Sequence, residues 1–226
     1  MIRRFYDGEA DLEALERAIT VIKEYRSGFG APMVKVNNGL RYYSSKCGVK
    51  ADVTQRLKRE ATIIGKLSDR ERGLDLSRMQ DIGGLRAVVD TIDDLRRFEN
   101  ELDAAWPHFI TDRDDYIKSP RKSGYRALHL KLLRDGLPIE VQLRTRRMHE
   151  WAEFVERLSM RLRENFKQDA GEHPVQVLAR LLSEVYRREE EGDQVDADLI
   201  DRVNWHIREV NKLLSPHKTS EGDGYE

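Results

Sequence analysis

Two runs of alternating apolar and polar residues flank Asp135-Gly136 within residues 128–144. An Asp-Gly pair between such runs predicts a β-hairpin with a two-residue turn. This turn fixes the register, so the leucine, isoleucine and valine side chains share one face that can cover a core. The predicted apolar pairs are Leu132 with Ile139, Leu130 with Val141, and Leu128 with Leu143. On the other face the register predicts His129 opposite Gln142 and Lys131 opposite Glu140, with Arg144 beyond them.

Apolar residues at helical spacing predict helices elsewhere in the chain. The predicted helices cover residues 9–27, 52–68, 93–105, 151–166, a segment that begins at Pro174, and 199–214. The polar residues from the end of the first helix to about residue 50 give no assignment. Residues 85–91 are predicted as a strand and Phe109-Ile110 as the start of another. This order predicts an α/β (α+β) fold, a mixed sheet flanked by helices, with an all-helical C-terminal extension.

The composition narrows the class of protein. Charged residues make up 36% of the 226 residues, and no apolar run approaches the length of a membrane span, which predicts a soluble cytoplasmic protein. The single cysteine, Cys47, excludes an internal disulfide and a cysteine-based zinc site, and we expect it to have no function. Residues 113–149 carry ten Lys and Arg against four Asp and Glu, a local excess that favours an anionic substrate.

Two acidic residues are candidates for a metal site. Asp81 precedes Gly83-Gly84 at the start of a predicted strand, and Glu140 lies on the polar face of the hairpin. Mg²⁺ takes few protein ligands, prefers oxygen and is commonly shared with substrate phosphates. The alternative interpretation is a solvated turn aspartate and a salt bridge between Glu140 and Lys131.

Two groups of cations could bind phosphates. Residues 118–126 hold four Lys and Arg around Gly124 and Tyr125, a combination that could bind phosphate and stack on a base, or simply form an exposed basic loop. The predicted helix 52–68 carries a second group: Arg56, Lys58, Arg59 and Lys66. On an ideal helix Lys58 and Lys66 share a stripe and Arg56 lies on another side, so either the helix begins after Arg56 or the cations serve different faces. A solvated helix face is the alternative.

Together these motifs resemble the synthetase domain of the RelA/SpoT family over roughly residues 40–160. The matching segments are Arg56-Leu-Lys58 with Thr62 and Lys66, Met79-Gln-Asp81-Ile-Gly-Gly-Leu-Arg86, Asp115-Tyr116-Ile117 through Gly124-Tyr125-Arg126 and His129, Glu140-Val-Gln142-Leu-Arg144-Thr145, and Met148-His-Glu-Trp-Ala. The resemblance implies a nucleotidyltransferase-like mixed sheet with flanking helices. It also predicts a synthetase domain over residues 1–160, a helical extension over 161–226, and disorder after residue 216.

The resemblance implies an ATP-dependent diphosphotransferase that moves the β,γ-pyrophosphate of ATP to a ribose 3′-hydroxyl. By that analogy Asp81 and Glu140 hold Mg²⁺, and Glu140, assisted by Gln142, activates the hydroxyl. The implied ATP-binding residues are Arg56 and Arg86 on the adenine, and Lys58, Lys66 and Arg121 on the triphosphate. The implied acceptor residues are Tyr125, which stacks on the base, with His129, Lys122, Gln142 and Arg144.

The sequence departs from the family pattern at three positions. Thr62 replaces the usual serine, Arg121 the usual lysine, and Ser123 a common asparagine, so the acceptor is less well defined than the donor. No His-Asp pair is present, so the chain lacks the hydrolase motif of the family and resembles a small, stand-alone synthetase.

Three functions stay open at this point. The first is synthesis of guanosine tetra- or pentaphosphate, (p)ppGpp, from ATP and GDP or GTP. The second is a toxin of a toxin–antitoxin pair that modifies the tRNA 3′ end or makes an adenosine alarmone, with an antitoxin docked on the C-terminal helices. The third is an inactive nucleotide-binding regulator. The sequence does not choose between GDP and GTP, and it does not give the oligomeric state or an allosteric ligand.

Overall fold

The computed structural model describes residues 8, 11–70, 75–164, 166 and 171–215. The chain divides into two compact units: Met1–Lys118 with Ala127–Arg146, and Ser119–Arg126 with Arg147–Glu226. The predicted domain boundary at residue 160 stays a prediction, and the predicted disorder after residue 216 falls outside the described residues. Within the described residues, every helix is too short or too polar to cross a membrane.

The first unit is built on a five-stranded mixed sheet. Its strand order is β1-β2-β5-β4-β3, in which β2 and β5 run parallel and the other neighbours run antiparallel. The predicted fold class, a mixed sheet flanked by helices, is therefore confirmed. The elements are α1 Leu12–Ser27, α2 Gly30–Lys46, β1 Asp52–Leu57, α3 Glu60–Gly65, β2 Gly83–Val89, α4 Ile92–Ala105, β3 Ile110–Asp115, β4 Leu128–Arg134 and β5 Leu137–Thr145.

The β4–β5 hairpin has the predicted register at every pair. The three apolar pairs are buried, and the polar pairs His129–Gln142 and Lys131–Glu140 stand on the other face. Asp135 and Gly136 have φ angles of 52° and 79°, so both turn residues are left-handed, as a type I′ turn requires. The local turn chemistry and the alternation of side chains therefore fix this part of the site.

The predicted helix over residues 52–68 is wrong in its first half. Residues 52–57 form β1, which pairs with β2 along its whole length, and α3 begins only at Glu60. Val53 and Leu57 are four residues apart, and that spacing puts two side chains on one face of a strand as well as of a helix. The spacing alone could not decide between the two, so Arg56 lies on a strand and Lys58 just after it.

The segment left unassigned before residue 50 is helix α2. Its buried residues, Met33, Val36, Leu40 and Ser44, follow one another at helical spacing, and Asn37 and Asn38 made the segment look polar. Helices α2 and α4 pack against the apolar face of the sheet. The core there includes Phe29, Leu40, Leu85, Val89, Leu95, Phe98, Leu102, Leu130, Val141 and Leu143.

The described part of the second unit contains three helices and the non-helical segment Ser119–Arg126. Its helices are α5 Arg146–Leu162, most of which belongs to this unit, α6 Pro174–Glu191 and α7 Ala197–Leu214. Helix α5 begins five residues before the predicted start because β5 leads directly into it. Helix α6 ends at left-handed Gly192, and the Asp196 side chain caps α7 by accepting a hydrogen bond from the Leu199 backbone N–H.

Candidate active site

One face of the sheet carries a continuous polar surface. The register places Arg56 opposite Gly84, Gly84 beside Glu140, Arg86 beside Gln142, and Gln142 opposite His129. Residues paired across two strands point to the same face of a sheet, and so does every second residue along one strand. These side chains therefore lie on the same side of the sheet. The remaining polar members of this face are Asp52, Thr54, Arg144, Lys131, Asp112 and Asp114.

Asp81 lies in the turn that precedes β2. Its Oδ2 accepts a short hydrogen bond from Lys58 Nζ, and Lys66 Nζ lies 3.5 Å from the same oxygen. Burial acts to raise the pKa of Asp81, but the hydrogen bond and charge of Lys58, with the charge of Lys66, outweigh it and lower the pKa. The other oxygen, Oδ1, is buried and accepts no hydrogen bond from any described residue.

The Glu140 carboxylate is held by two neighbouring side chains. His129 Nδ1 lies 2.9 Å from Oε1, and Gln142 Nε2 donates to Oε2 at 2.9 Å. Arg144 Nη2 donates to Gln142 Oε1 at 2.7 Å, which fixes the orientation of the amide. Burial acts to raise the pKa of Glu140, but hydrogen bonds from His129 and Gln142 outweigh it and lower the pKa. A smaller effect, the charge of Asp81, raises this pKa.

The alternative salt bridge between Glu140 and Lys131 does not form. Lys131 Nζ instead lies 2.7 Å from Asp112 Oδ2 and 3.1 Å from Asp114 Oδ2, both on β3. These two carboxylates raise the pKa of Lys131, Asp112 through its hydrogen bond most strongly. His129 and Gln142 are consequently the side chains that contact the Glu140 carboxylate, and Lys131 does not neutralise its charge.

Arg56 and Arg86 occupy diagonal positions on β1 and β2. Gly84 stands directly opposite Arg56 and carries no side chain of its own on this face. Diagonal neighbours in an antiparallel pair lie about 7–8 Å apart. A planar ring in van der Waals contact with a group on each side needs a gap of about 7 Å, twice the usual ~3.5 Å contact distance.

Tyr116 was missed by the sequence analysis as a site residue. Its ring stands edge-on to the His129 ring, with 5.2 Å between the centroids. Asp115 positions it, because its Oδ1 accepts hydrogen bonds from the backbone N–H groups of Ile117 and Lys118 and its carboxylate pairs with Arg96. Tyr116 belongs to the motif Asp115-Tyr116-Ile117, but its contact with His129 is visible only in the tertiary structure.

Three predicted site residues, Arg121, Lys122 and Tyr125, belong to the second unit. The Arg121 guanidinium lies 5.8 Å from the centre of the Tyr125 ring, and the Arg121 backbone N–H donates to the Tyr125 carbonyl. Tyr125 is only 8% exposed and packs against Trp151, with 6.1 Å between the ring centroids. Arg121 and Lys122 are exposed. Their assignment to substrate binding stays a prediction.

Metal binding by protein ligands alone is not supported within the described residues, since no three His, Cys, Asp or Glu side chains there are arranged to hold an ion. Two carboxylates with open coordination nevertheless suit Mg²⁺, which keeps water and phosphate oxygens among its ligands. The buried, unsatisfied Oδ1 of Asp81 is the observation that fits such an ion.

Part of the chain matches a known protein family. Residues 55–165 match the family model described as a region found in RelA / SpoT proteins. The chain belongs to the RelA/SpoT family. The matched region contains every predicted site residue, from Arg56 to Arg144, and it extends into helix α5.

Relatives with curated names cover different shares of the chain. A GTP pyrophosphokinase, rsh, from Brucella melitensis is 33% identical over 121 residues, which are 53% of this chain and only 16% of that protein. The chain therefore corresponds to a small part of the rsh proteins that it matches. The GTP pyrophosphokinase YjbM of Bacillus subtilis is 29% identical over 175 residues, which are 74% of this chain and 77% of YjbM.

A solved structure confirms the fold of this RelA/SpoT protein. The small alarmone synthetase 1 from Bacillus subtilis, bound to its product pppGpp, superposes with a TM-score of 0.64 at 23% sequence identity. The match covers 82% of this chain and 99% of the synthetase.

Proposed function

We propose that this protein transfers the β,γ-pyrophosphate of ATP to the 3′-hydroxyl of GDP or GTP, and so makes (p)ppGpp. The observation that carries the proposal is the pair Asp81 and Glu140, two carboxylates whose charges act on each other at the edge of a cation-rich face. The names of the rsh proteins and of YjbM support the same reaction.

Asp81 and Glu140 are the residues that would hold Mg²⁺. The ion, when bound, would neutralise charge on the phosphates as the transfer proceeds. Lys58, directly after β1, and Lys66, at the end of α3, converge on Asp81. We assign both ammonium groups to the phosphate oxygens that would lie beside the carboxylate.

Glu140 is the residue that we assign to the acceptor hydroxyl. In the reaction the 3′-oxygen bonds to the β-phosphorus, the bond between the β-phosphorus and the bridging oxygen of AMP breaks, and the hydroxyl proton passes to Glu140. Gln142 and His129 hold this carboxylate at 2.9 Å each, so its orientation is set before the substrate arrives. Such positioning accounts for much of the rate enhancement in phosphoryl transfer.

Arg56 and Arg86 form the proposed adenine site. The gap left by Gly84 between their diagonal positions suits a planar base with one guanidinium on each side. The acceptor site is proposed from the resemblance alone, with Tyr125 stacking on the base and Lys122, His129 and Arg144 around the rest of the nucleotide. Arg121 is proposed, on the same basis, to bind the triphosphate of ATP.

The test is a transfer assay with two labelled forms of ATP. The protein and Mg²⁺ are incubated with γ-labelled ATP and, in separate reactions, GDP, GTP, ATP or deacylated tRNA. We expect label in the guanine nucleotide, and with α-labelled ATP we expect one AMP per product molecule. Release of ADP would instead indicate transfer of a single phosphate and contradict the proposal.

The acceptor controls separate the other functions. A GDP analogue without the 3′-hydroxyl should take no label. Label in tRNA or in an adenine nucleotide, with none in GDP or GTP, would replace the proposal with the toxin-type activity. Binding of ATP without label in any acceptor would indicate the inactive regulator.

A further inference from the structure

A cavity lies on the opposite side of the sheet from Glu140. It has a volume of about 370 Å³ and lies among α2, the end of α4, the start of β3 and the end of β4, all in the first unit. Leu132 lines it and belongs to the apolar face, whereas the neighbouring Lys131 points to the polar face. A cavity of this size is in the range that holds a small organic ligand. Its lining consists of Lys35, Val36, Asn38, Gly39, Tyr42, Tyr43, Ala105, Trp106, Phe109, Leu132 and Arg134.

Aromatic rings make up much of the wall. The Tyr43 ring meets the Tyr42 ring at a centroid distance of 5.0 Å and the Trp106 ring at 5.7 Å, both edge-to-face. Gly39 allows the indole to approach helix α2, because a Cβ at this position would lie 2.5 Å from Trp106 Cζ2. Trp106 is 6% exposed, so its ring is a fixed surface rather than a mobile one. Walls of this kind favour a flat, apolar ring system.

The wall also carries an excess of positive charge. Lys35 and Arg134 line the cavity, and its described lining includes no Asp or Glu. Both cations share one carboxylate, Asp135, which lies 2.7 Å from Lys35 Nζ and 3.7 Å from Arg134 Nε. The longer distance exceeds that of a hydrogen bond. Arg134 Nε is accordingly buried without an acceptor among the described residues, and a buried donor in this state favours an incoming oxygen.

From this combination we propose that the cavity binds a small planar aromatic anion. Its ring packs against Tyr42, Tyr43 and Trp106, and its carboxylate, sulfonate or phosphate group binds Arg134 and Lys35. The Arg134 guanidinium already stacks on the Phe109 ring at 4.4 Å, so it is oriented before a ligand arrives. The site is separate from the proposed transfer site and does not depend on the proposed reaction.

The test uses 1-anilinonaphthalene-8-sulfonate as the anionic probe and N-phenyl-1-naphthylamine as its uncharged counterpart. Titration of the full chain should show saturable binding of the anion at one site. Its binding should be at least about tenfold tighter than that of the neutral probe, because only the anion can accept a charge-assisted hydrogen bond from Arg134. Equal affinity for the two probes, or binding that does not saturate, would overturn the proposal.

Variants locate the probe. Arg134→Gln should weaken the anion about tenfold and leave the neutral probe unchanged, and Arg134→Lys should restore part of the loss. Tyr42→Ala should weaken both probes, and because Tyr42 is an exposed side chain this change should not disturb folding. Lys50→Gln removes an exposed charge outside the lining and is the matched control. If Lys50→Gln weakened binding of the anionic probe as much as Arg134→Gln, the probe would respond to the net charge of the protein and not to the cavity.

A spectroscopic readout is independent of affinity. With 5-fluorotryptophan in the chain, ¹⁹F NMR reports the three tryptophans separately, assigned by single Trp→Phe variants. The Trp106 resonance should move on addition of the anionic probe, while those of Trp151 and Trp205 stay in place. A shift confined to Trp151 or Trp205 would place the probe elsewhere and contradict the assignment.

Discussion

The Glu140 carboxylate lies 2.9 Å from His129 Nδ1, although the strand register pairs Glu140 with Lys131. The contact is diagonal, between adjacent strands, and it forms because Lys131 turns towards Asp112 and Asp114 on β3. Glu140 is thus held by hydrogen-bond donors that leave the rest of its oxygen surface open to a substrate or an ion.

Glu140→Gln tests the assignment of the acceptor base. The substitution is nearly isosteric, but it removes the negative charge and the proton acceptor, so we expect transfer to fall at least about 100-fold with the fold intact. The measurement is label transfer to GDP together with circular dichroism. Asp52→Asn, which changes an exposed carboxylate on the edge strand β1, is the control and should keep most of the activity. Turnover near the wild-type rate in Glu140→Gln would remove Glu140 from the mechanism.

Arg56→Ala tests the adenine site. Arg56 is exposed on the edge strand, so its loss should not affect folding, and the cost should be one cation–π contact of about 1–2 kcal/mol. We expect KM for ATP to rise about tenfold while KM for the acceptor changes little. Arg59→Ala removes an exposed cation three residues further on and is the charge-matched control. An equal rise in both KM values would argue against a role specific to ATP.

Gly136→Ala tests the turn that sets the hairpin register. Its φ of 79° is unfavourable for a residue with a Cβ, so the free energy of unfolding should fall by about 1 kcal/mol. Gly30→Ala, at a helical position with open space around the added Cβ, should raise it by up to about 1 kcal/mol. Thermal or urea unfolding of the two variants compares them directly, and the same sign for both would contradict the account.

Variants of Arg126 and Glu190 test how a buried ion pair in the second unit contributes to stability. Their side chains are 4% and 9% exposed, and the two groups are 2.7 Å apart. Glu190→Ala leaves a buried guanidinium without its carboxylate, which should cost about 3–5 kcal/mol of unfolding free energy. The double variant Arg126→Met, Glu190→Leu should recover much of that loss in denaturant unfolding. A double variant as unstable as the single one would show that the charge is not the cause.

Acid stability tests Glu184 on helix α6. Its carboxylate accepts hydrogen bonds from Arg187 and Arg188, which lower the pKa of Glu184 from its ordinary value of 4.5 to about 2. Because the pKa is lower in the folded state, the contribution is fully present above about pH 4.5 and disappears as the pH falls towards 2.

The side chain of Glu184 is 37% exposed, so solvent screening limits the contribution to about 1 kcal/mol or less. Unfolding of Glu184→Gln should therefore differ from the wild type at pH 6 and converge with it near pH 2. A difference in unfolding free energy between the two proteins that grows as the pH falls would contradict the lowered pKa of Glu184.

Several elements of the fold could be predicted from the sequence. The strand over Gly83–Val89, helix α4 and the start of β3 lie within two residues of their predicted positions, because each has one dominant period. The segment 52–57 was assigned wrongly because Val53 and Leu57 satisfy the helix and the strand spacing equally. Helix α2 is hard to recognise from the sequence because its buried stripe includes Ser44 and is flanked by polar residues such as Asn37 and Asn38.

The sequence by itself determined the hairpin, its register and the face on which Glu140, Gln142 and His129 stand, since a two-residue Asp-Gly turn and side-chain alternation are local properties. Only the tertiary structure decided that Lys58 and Lys66 both reach Asp81, that Lys131 leaves Glu140 for β3, and that Tyr116 meets the His129 ring. These contacts join residues from different elements, so they depend on strand pairing and packing, which side-chain periodicity within one segment does not specify.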